Sequence, residues 1–141
     1  RNLGPLSAFI IGKMVDKYRP PVSELALLKN AILKEGAVHI AEMLKNNDDI
    51  KVLDLRFCAL YPEGMRLICD ALQVNTSVET ALLLTNSVGQ EGARAVDDML
   101  TYFERHSTTM RHLDIQDNLI APATKDALRE KGEKLKIKMI V

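Results

Sequence analysis

The stretch Ile50-Lys51-Val52-Leu53-Asp54-Leu55-Arg56-Phe57-Cys58-Ala59-Leu60 decides the fold. In extended chain, Leu53 and Leu55 point to one side while Asp54 and Arg56 point to the other, so one side is apolar and one polar. Cys58 and Leu60 then mark a turn away from the strand. The same five positions recur as Val22, Leu25, Leu27, Asn30 and Ile32. They recur again as Val78, Ala81, Leu83, Asn86 and Val88, and as Met110, Leu113, Ile115, Asn118 and Ile120. An asparagine at the turn can hydrogen-bond backbone groups that the bend leaves unpaired.

The spacing between copies is regular. Gly36, Gly64 and Gly92 are 28 residues apart, as are Leu44, Leu72 and Leu100. Each glycine opens a helical pattern: Ile40, Met43, Leu44, then Ile68, Ala71, Leu72, then Val96, Met99, Leu100. A unit of one short strand and one helix cannot bury its apolar side alone, and stacked neighbours supply the missing half of the core. The architecture expected is an α/β right-handed solenoid with parallel strands on the concave side and helices on the convex side. The expected units start at residues 22, 50, 78 and 110 and run to 134, with a final strand over 135–141.

With its 28-residue period and full outer helices, the stretch from Val22 to Gly132 resembles the ribonuclease-inhibitor-like class of leucine-rich repeats. Repeats of this class occur in tropomodulin and leiomodin, in the Ran GTPase-activating protein and in many nucleotide-sensing receptors. The resemblance implies a horseshoe that binds protein on its inner curve.

Three segments depart from the repeat. The third unit is 32 residues long, and its four extra residues suggest an added helical turn near Thr101 to His106, carrying Tyr102 and Phe103 as an accessory contact. The fourth unit has Lys131 and Gly132 where the third has Met99 and Leu100, so its helix is expected to be shorter and more polar. At the other end, Leu3, Leu6, Ile10, Met14 and Tyr18 form a helical stripe outside the repeat register, stopped by Pro20 and Pro21. It reads as an amino-terminal helix over 1–20 covering the first repeat.

Composition narrows the function. The 141 residues are 47% hydrophobic, enough for one domain with a continuous core. Nineteen basic residues balance nineteen acidic ones, so no global field draws the molecule to nucleic acid or an anionic membrane. Two cysteines, Cys58 and Cys69, are too few for a disulfide scaffold and point to a reducing, intracellular and cytoplasmic setting, with organellar or cytoskeletal assembly also open. No stretch has the length of a membrane span. The first residue, Arg1, fits a processed precursor or a piece of a longer polypeptide equally well.

On the inner curve the repeat places Leu28, then Val52, Asp54, Arg56 and Phe57, then Leu82 and Leu84, then His112, Asp114 and Gln116. Apolar residues on both sides of a strand imply that the second side is covered or meant to be, so these ten are the candidate partner-binding residues. The competing account is cover by the amino-terminal helix.

Chemistry is thinly represented. His112 and Asp114 share one strand face and could hydrogen-bond, but the repeat places no serine or cysteine to complete a triad. His39 reads as a half-buried helix residue, and both cysteines read as structural. No zinc spacing and no phosphate loop exists, so neither metal nor cofactor is expected. Asn75-Thr76-Ser77 matches a glycosylation sequon inside a turn that favours these residues anyway. The basic cluster Lys125, Arg129, Lys131, Lys134, Lys136 and Lys138 is interspersed with acids and reads as a solvated face. The chain therefore reads as a non-enzymatic interaction or scaffold module, such as a small subunit of a larger assembly. The resemblance adds two alternatives, a regulator of a small GTPase and an actin-filament binding module.

Overall fold

The computed structural model describes residues 3–141. Helices and strands alternate: α1 Pro5–Tyr18, β1 Glu24–Ala26, α2 Leu33–Asn46, β2 Val52–Asp54, α3 Tyr61–Val74, β3 Thr80–Leu82, α4 Gly89–Phe103, β4 His112–Asp114, α5 Pro122–Lys134 and β5 Lys138–Ile140. The five strands form one parallel sheet in sequence order. Register follows the repeat: Leu25 pairs with Leu53, Leu53 with Ala81, Ala81 with Leu113 and Leu113 with Met139. A second row, Leu27, Leu55, Leu83 and Ile115, lies beneath it and is buried throughout. These two rows pack against Ile40, Met43 and Leu44 of α2 and their counterparts on α3 and α4, giving one continuous spine. The fifth strand expected from the terminal alternation is present, and α5 buries only Leu128 and Gly132, as its polar composition requires. Gly132 has a steric role, since a Cβ there would collide with Met139 of β5.

Two asparagine rows hold the turns. Buried Asn86 donates through Nδ2 to the carbonyls of Leu55 and Leu83, both at 2.8 Å, and its Oδ1 accepts from the N–H groups of Cys58 at 3.0 Å and Leu60 at 3.3 Å. Asn118 repeats the pattern one unit on, accepting from the Asn86 N–H at 2.7 Å. At the opposite turn, Asn75 donates to the carbonyls of Leu44 at 2.7 Å and Asn47 at 2.9 Å and accepts from the Val78 N–H at 2.8 Å. Asn75 is buried with both amide protons engaged, so the sequon is a structural turn.

Three readings need correction. α1 does share the repeat register: α1, α2 and α3 span residues 5–18, 33–46 and 61–74, 28 apart at both ends. The Leu3 N–H also bonds Asn30 Oδ1 at 2.8 Å, an acceptor one unit on of the kind that Cys58 and Leu60 find in Asn86. Of the apolar stripe only Leu3 packs against the core; Leu6, Ile10, Met14 and Tyr18 do not cover the first repeat. Ala8, Gly12 and Val15 face α2, where a Cβ on Gly12 would sit 3.1 Å from the His39 carbonyl and one on Gly36 would sit 3.1 Å from the Ala8 Cβ. Small residues let the two backbones approach closely, and Leu6, Ile10, Met14 and Tyr18 are left facing out. Finally, the insertion in the third unit lengthens α4 by one residue, 15 against 14, and the remainder forms the loop before β4.

Candidate functional site

The inner face is built by the residues between the two core rows. Parallel pairing sets Val52 beside Thr80 and Thr80 beside His112, and likewise Asp54 beside Leu82 and Leu82 beside Asp114. Leu28, Arg56, Leu84 and Gln116 follow at the ends of the strands. α1 packs on α2, on the helical side, so it does not roof this face. Leu28 remains 36% exposed and Phe57 45%, while Val52, Leu82, Leu84, His112 and Asp114 are half-buried and Gln116 is exposed.

Phe57 is exposed and sits in left-handed backbone. Its φ is 56°, as Lys29, Thr85 and Asp117 adopt 58°, 56° and 53° at the same repeat position. The repeat imposes this geometry, because the Phe57 N–H is tied to the Leu84 carbonyl at 3.2 Å and the Thr85 N–H to the Gln116 carbonyl at 2.9 Å. Asparagine and aspartate tolerate left-handed backbone, but a bulky ring there is costly. Nothing in the core repays that cost, since the ring lies on the surface with the Lys29 ammonium 6.0 Å from its centroid. Tyr61 shares both features, with φ 55° and an exposed ring, but it lies at the start of α3 and not on the inner face.

The charges beside it are already paired. Asp54 is buried, and its two oxygens accept from Arg56 Nε at 2.9 Å and Nη2 at 2.7 Å. The hydrogen bond that Arg56 donates to Asp54 raises the Arg56 pKa above its ordinary value against an opposing desolvation, with the charges of Asp54 and Asp114 adding. Asp54 thus positions Arg56, and the half-exposed guanidinium is the part offered outward. His112 Nε2 has no hydrogen-bond partner, and the Asp114 carboxylate accepts from the Gln116 N–H at 3.1 Å. The His112–Asp114 pairing weighed above is therefore not formed. Of the accessory aromatics, Phe103 is 4% exposed and belongs to the core, so it offers no surface contact. Tyr102 is half-buried and stacks on His106 with centroids 3.8 Å apart. His39 is half-buried against Phe9, ring centroids 4.9 Å apart.

Both thiols are buried. Burial pushes Cys58 up to about 11, against a weaker opposing bond from the Asn30 backbone, and its Sγ donates to the Leu27 carbonyl at 3.1 Å. Burial raises Cys69 further still. A folded thiol that resists ionisation stabilises the fold below the ordinary value of 9.0, and that contribution is lost as pH rises from there toward 11. Native protein at pH 8 is accordingly expected to leave both thiols unlabelled by a disulfide reagent, with both reacting once guanidinium unfolds the chain; rapid native labelling would contradict the burial. In the basic cluster, Arg129 pairs with Asp126 at 2.8 Å and Lys134 with Glu130 at 2.8 Å, and Lys131 pairs with Asp97 of α4. Among the described residues, no group of three His, Cys, Asp or Glu is placed to hold a metal, and no helix is long and apolar enough to cross a membrane.

A solved structure described as leiomodin-1 actin-binding site 2 superposes with a TM-score of 0.76 at 18% identity, covering 92% of this chain and 75% of that one. The fold is a leucine-rich-repeat solenoid. In sequence, 107 residues, 72% of the chain, are 29% identical to the Mus musculus protein NACHT, LRR and PYD domains-containing protein 4E. The matched part of the solenoid corresponds to 10% of that protein's length. No family model matches the chain.

Proposed function

We propose that the solenoid is a non-enzymatic protein–protein interaction module of the ribonuclease-inhibitor-like class, which binds its partner on the inner curve around Phe57. Support comes from the exposed Phe57 ring, held in left-handed backbone by inter-repeat hydrogen bonds and flanked by Leu28, Lys29 and Arg56. Aromatic and arginine side chains anchor protein interfaces because they bury large area at small entropic cost. Val52, Leu82 and Leu84 continue the apolar surface, and His112, Asp114 and Gln116 give it a polar rim. The setting consistent with two unpaired thiols is intracellular, and the partner belongs to a larger assembly in which this chain is one part.

The test is a substitution that separates binding from folding. Phe57→Asn keeps a residue suited to the observed backbone, so thermal unfolding is expected to stay level or rise by the equivalent of about 0.5–1 kcal/mol. Partner capture by the native protein is expected to fall at least tenfold. Undiminished capture, or a matching loss of stability, would remove Phe57 from the site. Filamentous actin is the first defined partner to include, through co-sedimentation with wild type and Phe57→Asn, because the solved structure of similar fold is described as an actin-binding site.

A further inference from the structure

The inner curve carries opposite charges toward its two ends and apolar side chains between them. On the β1 side stands Lys29, exposed, with its ammonium 6.0 Å from the Phe57 ring centroid. On the β4 side stand Asp114 and Asp117. None of these three forms an ion pair among the described residues, whereas Arg56 is already matched by Asp54. Lys29 and Asp117 hold equivalent positions of the first and fourth units, both in left-handed backbone at φ 58° and 53°, with β2 and β3 between their strands. At about 4.8 Å per strand step they stand about 14 Å apart. That exceeds the screening length of physiological salt, about 8 Å, so they do not neutralise each other. Leu28, Phe57, Leu82 and Leu84 make the surface from β1 to β3 apolar.

Backbone chemistry selects the form of an occupant. The N–H and C=O groups of a sheet bond sideways within it, so an extended segment laid across the strands would lose water from its own amides and gain no partner for them. A helix bonds its amides internally. Its pitch of about 5.4 Å is close to the strand spacing, so one turn falls on each strand, and residues at i, i+4 and i+7 meet three successive strands. Three turns span about 16 Å, enough to run from Lys29 to Asp117.

We propose that the inner curve takes an amphipathic helix of a protein partner, lying across β1 to β4. Its apolar residues at i, i+4 and i+7 sit over Leu28, Phe57 and Leu84, with acidic residues in its first turn beside Lys29 and basic residues in its last turn beside Asp114 and Asp117. Acids in the first turn and bases in the last also suit the helix's own dipole, which sets its direction, amino-terminal end over β1. This rests on the inner-curve reading above and adds to it the form, charge and direction of the partner segment.

The probe is a stapled helical peptide of about three turns with that pattern, titrated into the whole chain and followed by NMR. Intermolecular NOEs are expected from its first turn to Leu28 and from its last turn to Gln116, and Phe57→Asn is expected to weaken binding at least about tenfold. Peptides acidic at both ends, or basic at both, are expected to bind about threefold more weakly in low salt, a difference that closes in high salt. The double variant Lys29→Asp, Asp117→Lys puts at each position the residue that the other unit already carries there. Its unfolding midpoint is expected to move by less than about 2 °C, and the first peptide is expected to bind it turned end for end. Equal binding of the three peptides, an unchanged direction in the double variant, or NOEs to the exposed row of α1 instead overturns the proposal. So does absence of peptide binding while capture of the native partner still depends on Phe57, a result that leaves the inner-curve reading standing. Capture that ignores Phe57 removes both.

Discussion

Asn86→Ala lowers the thermal midpoint by on the order of 10 °C, the equivalent of about 3–5 kcal/mol. The residue is fully buried and its amide serves three neighbouring segments: the turn around Cys58 and Leu60, the end of β2 at Leu55 and the end of β3 at Leu83. Alanine leaves the N–H groups of Cys58 and Leu60 without that acceptor in a dry interior, and each orphaned group costs about 1–3 kcal/mol. The cost is large because the bonds cross between repeats, so the loss weakens the interfaces that make the solenoid one cooperative body. Asn86→Cys recovers part of it, since Cys58 shows that a thiol at this position still donates to a carbonyl one repeat away, at 3.1 Å. Chemical denaturation of the three proteins measures both effects. A loss under about 1 kcal/mol for alanine would mean that water replaces the amide and that the asparagine row does not bind the units together.

Leu53→Ala is the second large effect, expected at about 2–5 kcal/mol. Leu53 is fully buried and has a strand on each side, with Leu25 and Ala81 as its register partners. Ala81 is already small, so no neighbour in that direction can expand into the space. Leu25→Ala is expected to cost less, because β1 is an edge strand and Leu25 meets a register partner on one side only. The comparison is informative in its order: equal costs at the two positions would argue against a core built by successive stacking.

The sheet was readable in advance because its determinants are local. Leu-x-Leu fixes which side of a strand is apolar, and the asparagine or cysteine at the turn fixes where the strand ends, so period and register follow from a few residues per unit. α1 was misread for an equally specific reason. A stripe of large apolar residues ordinarily marks the buried face, whereas here Ala8, Gly12 and Gly36 allow such close approach that they are buried with Val15 while Leu6, Ile10, Met14 and Tyr18 face out. The signal was present in the 28-residue offset from Pro5 to Leu33, but the absence of leucines on the inner face of α1 concealed it. Phe103 was misplaced because length alone cannot say whether an insertion extends a helix or its loop.

The candidate site was half legible. Alternation named the inner-curve residues, and the structure leaves Phe57 and Leu28 open to solvent. Alternation could not show that Asp54 is buried beneath Arg56, that His112 and Asp114 do not pair, or that Phe57 sits in left-handed backbone. Those features depend on contacts between strands and on turn geometry. A comparison of repeats could have raised the last of them: Lys29, Thr85 and Asp117 hold the position equivalent to Phe57, and a lone phenylalanine among polar turn residues is the one that turn chemistry does not select.

One apolar spine runs through all five strands and leaves the inner curve free. A methyl NOESY spectrum of the native chain tests it most directly. Contacts are expected to join Leu25 to Leu53, Leu53 to Ala81, Ala81 to Leu113 and Leu113 to Met139, with none from α1 to Leu28. A break in that series, or contacts that seat α1 over Leu28 and Phe57, would contradict it.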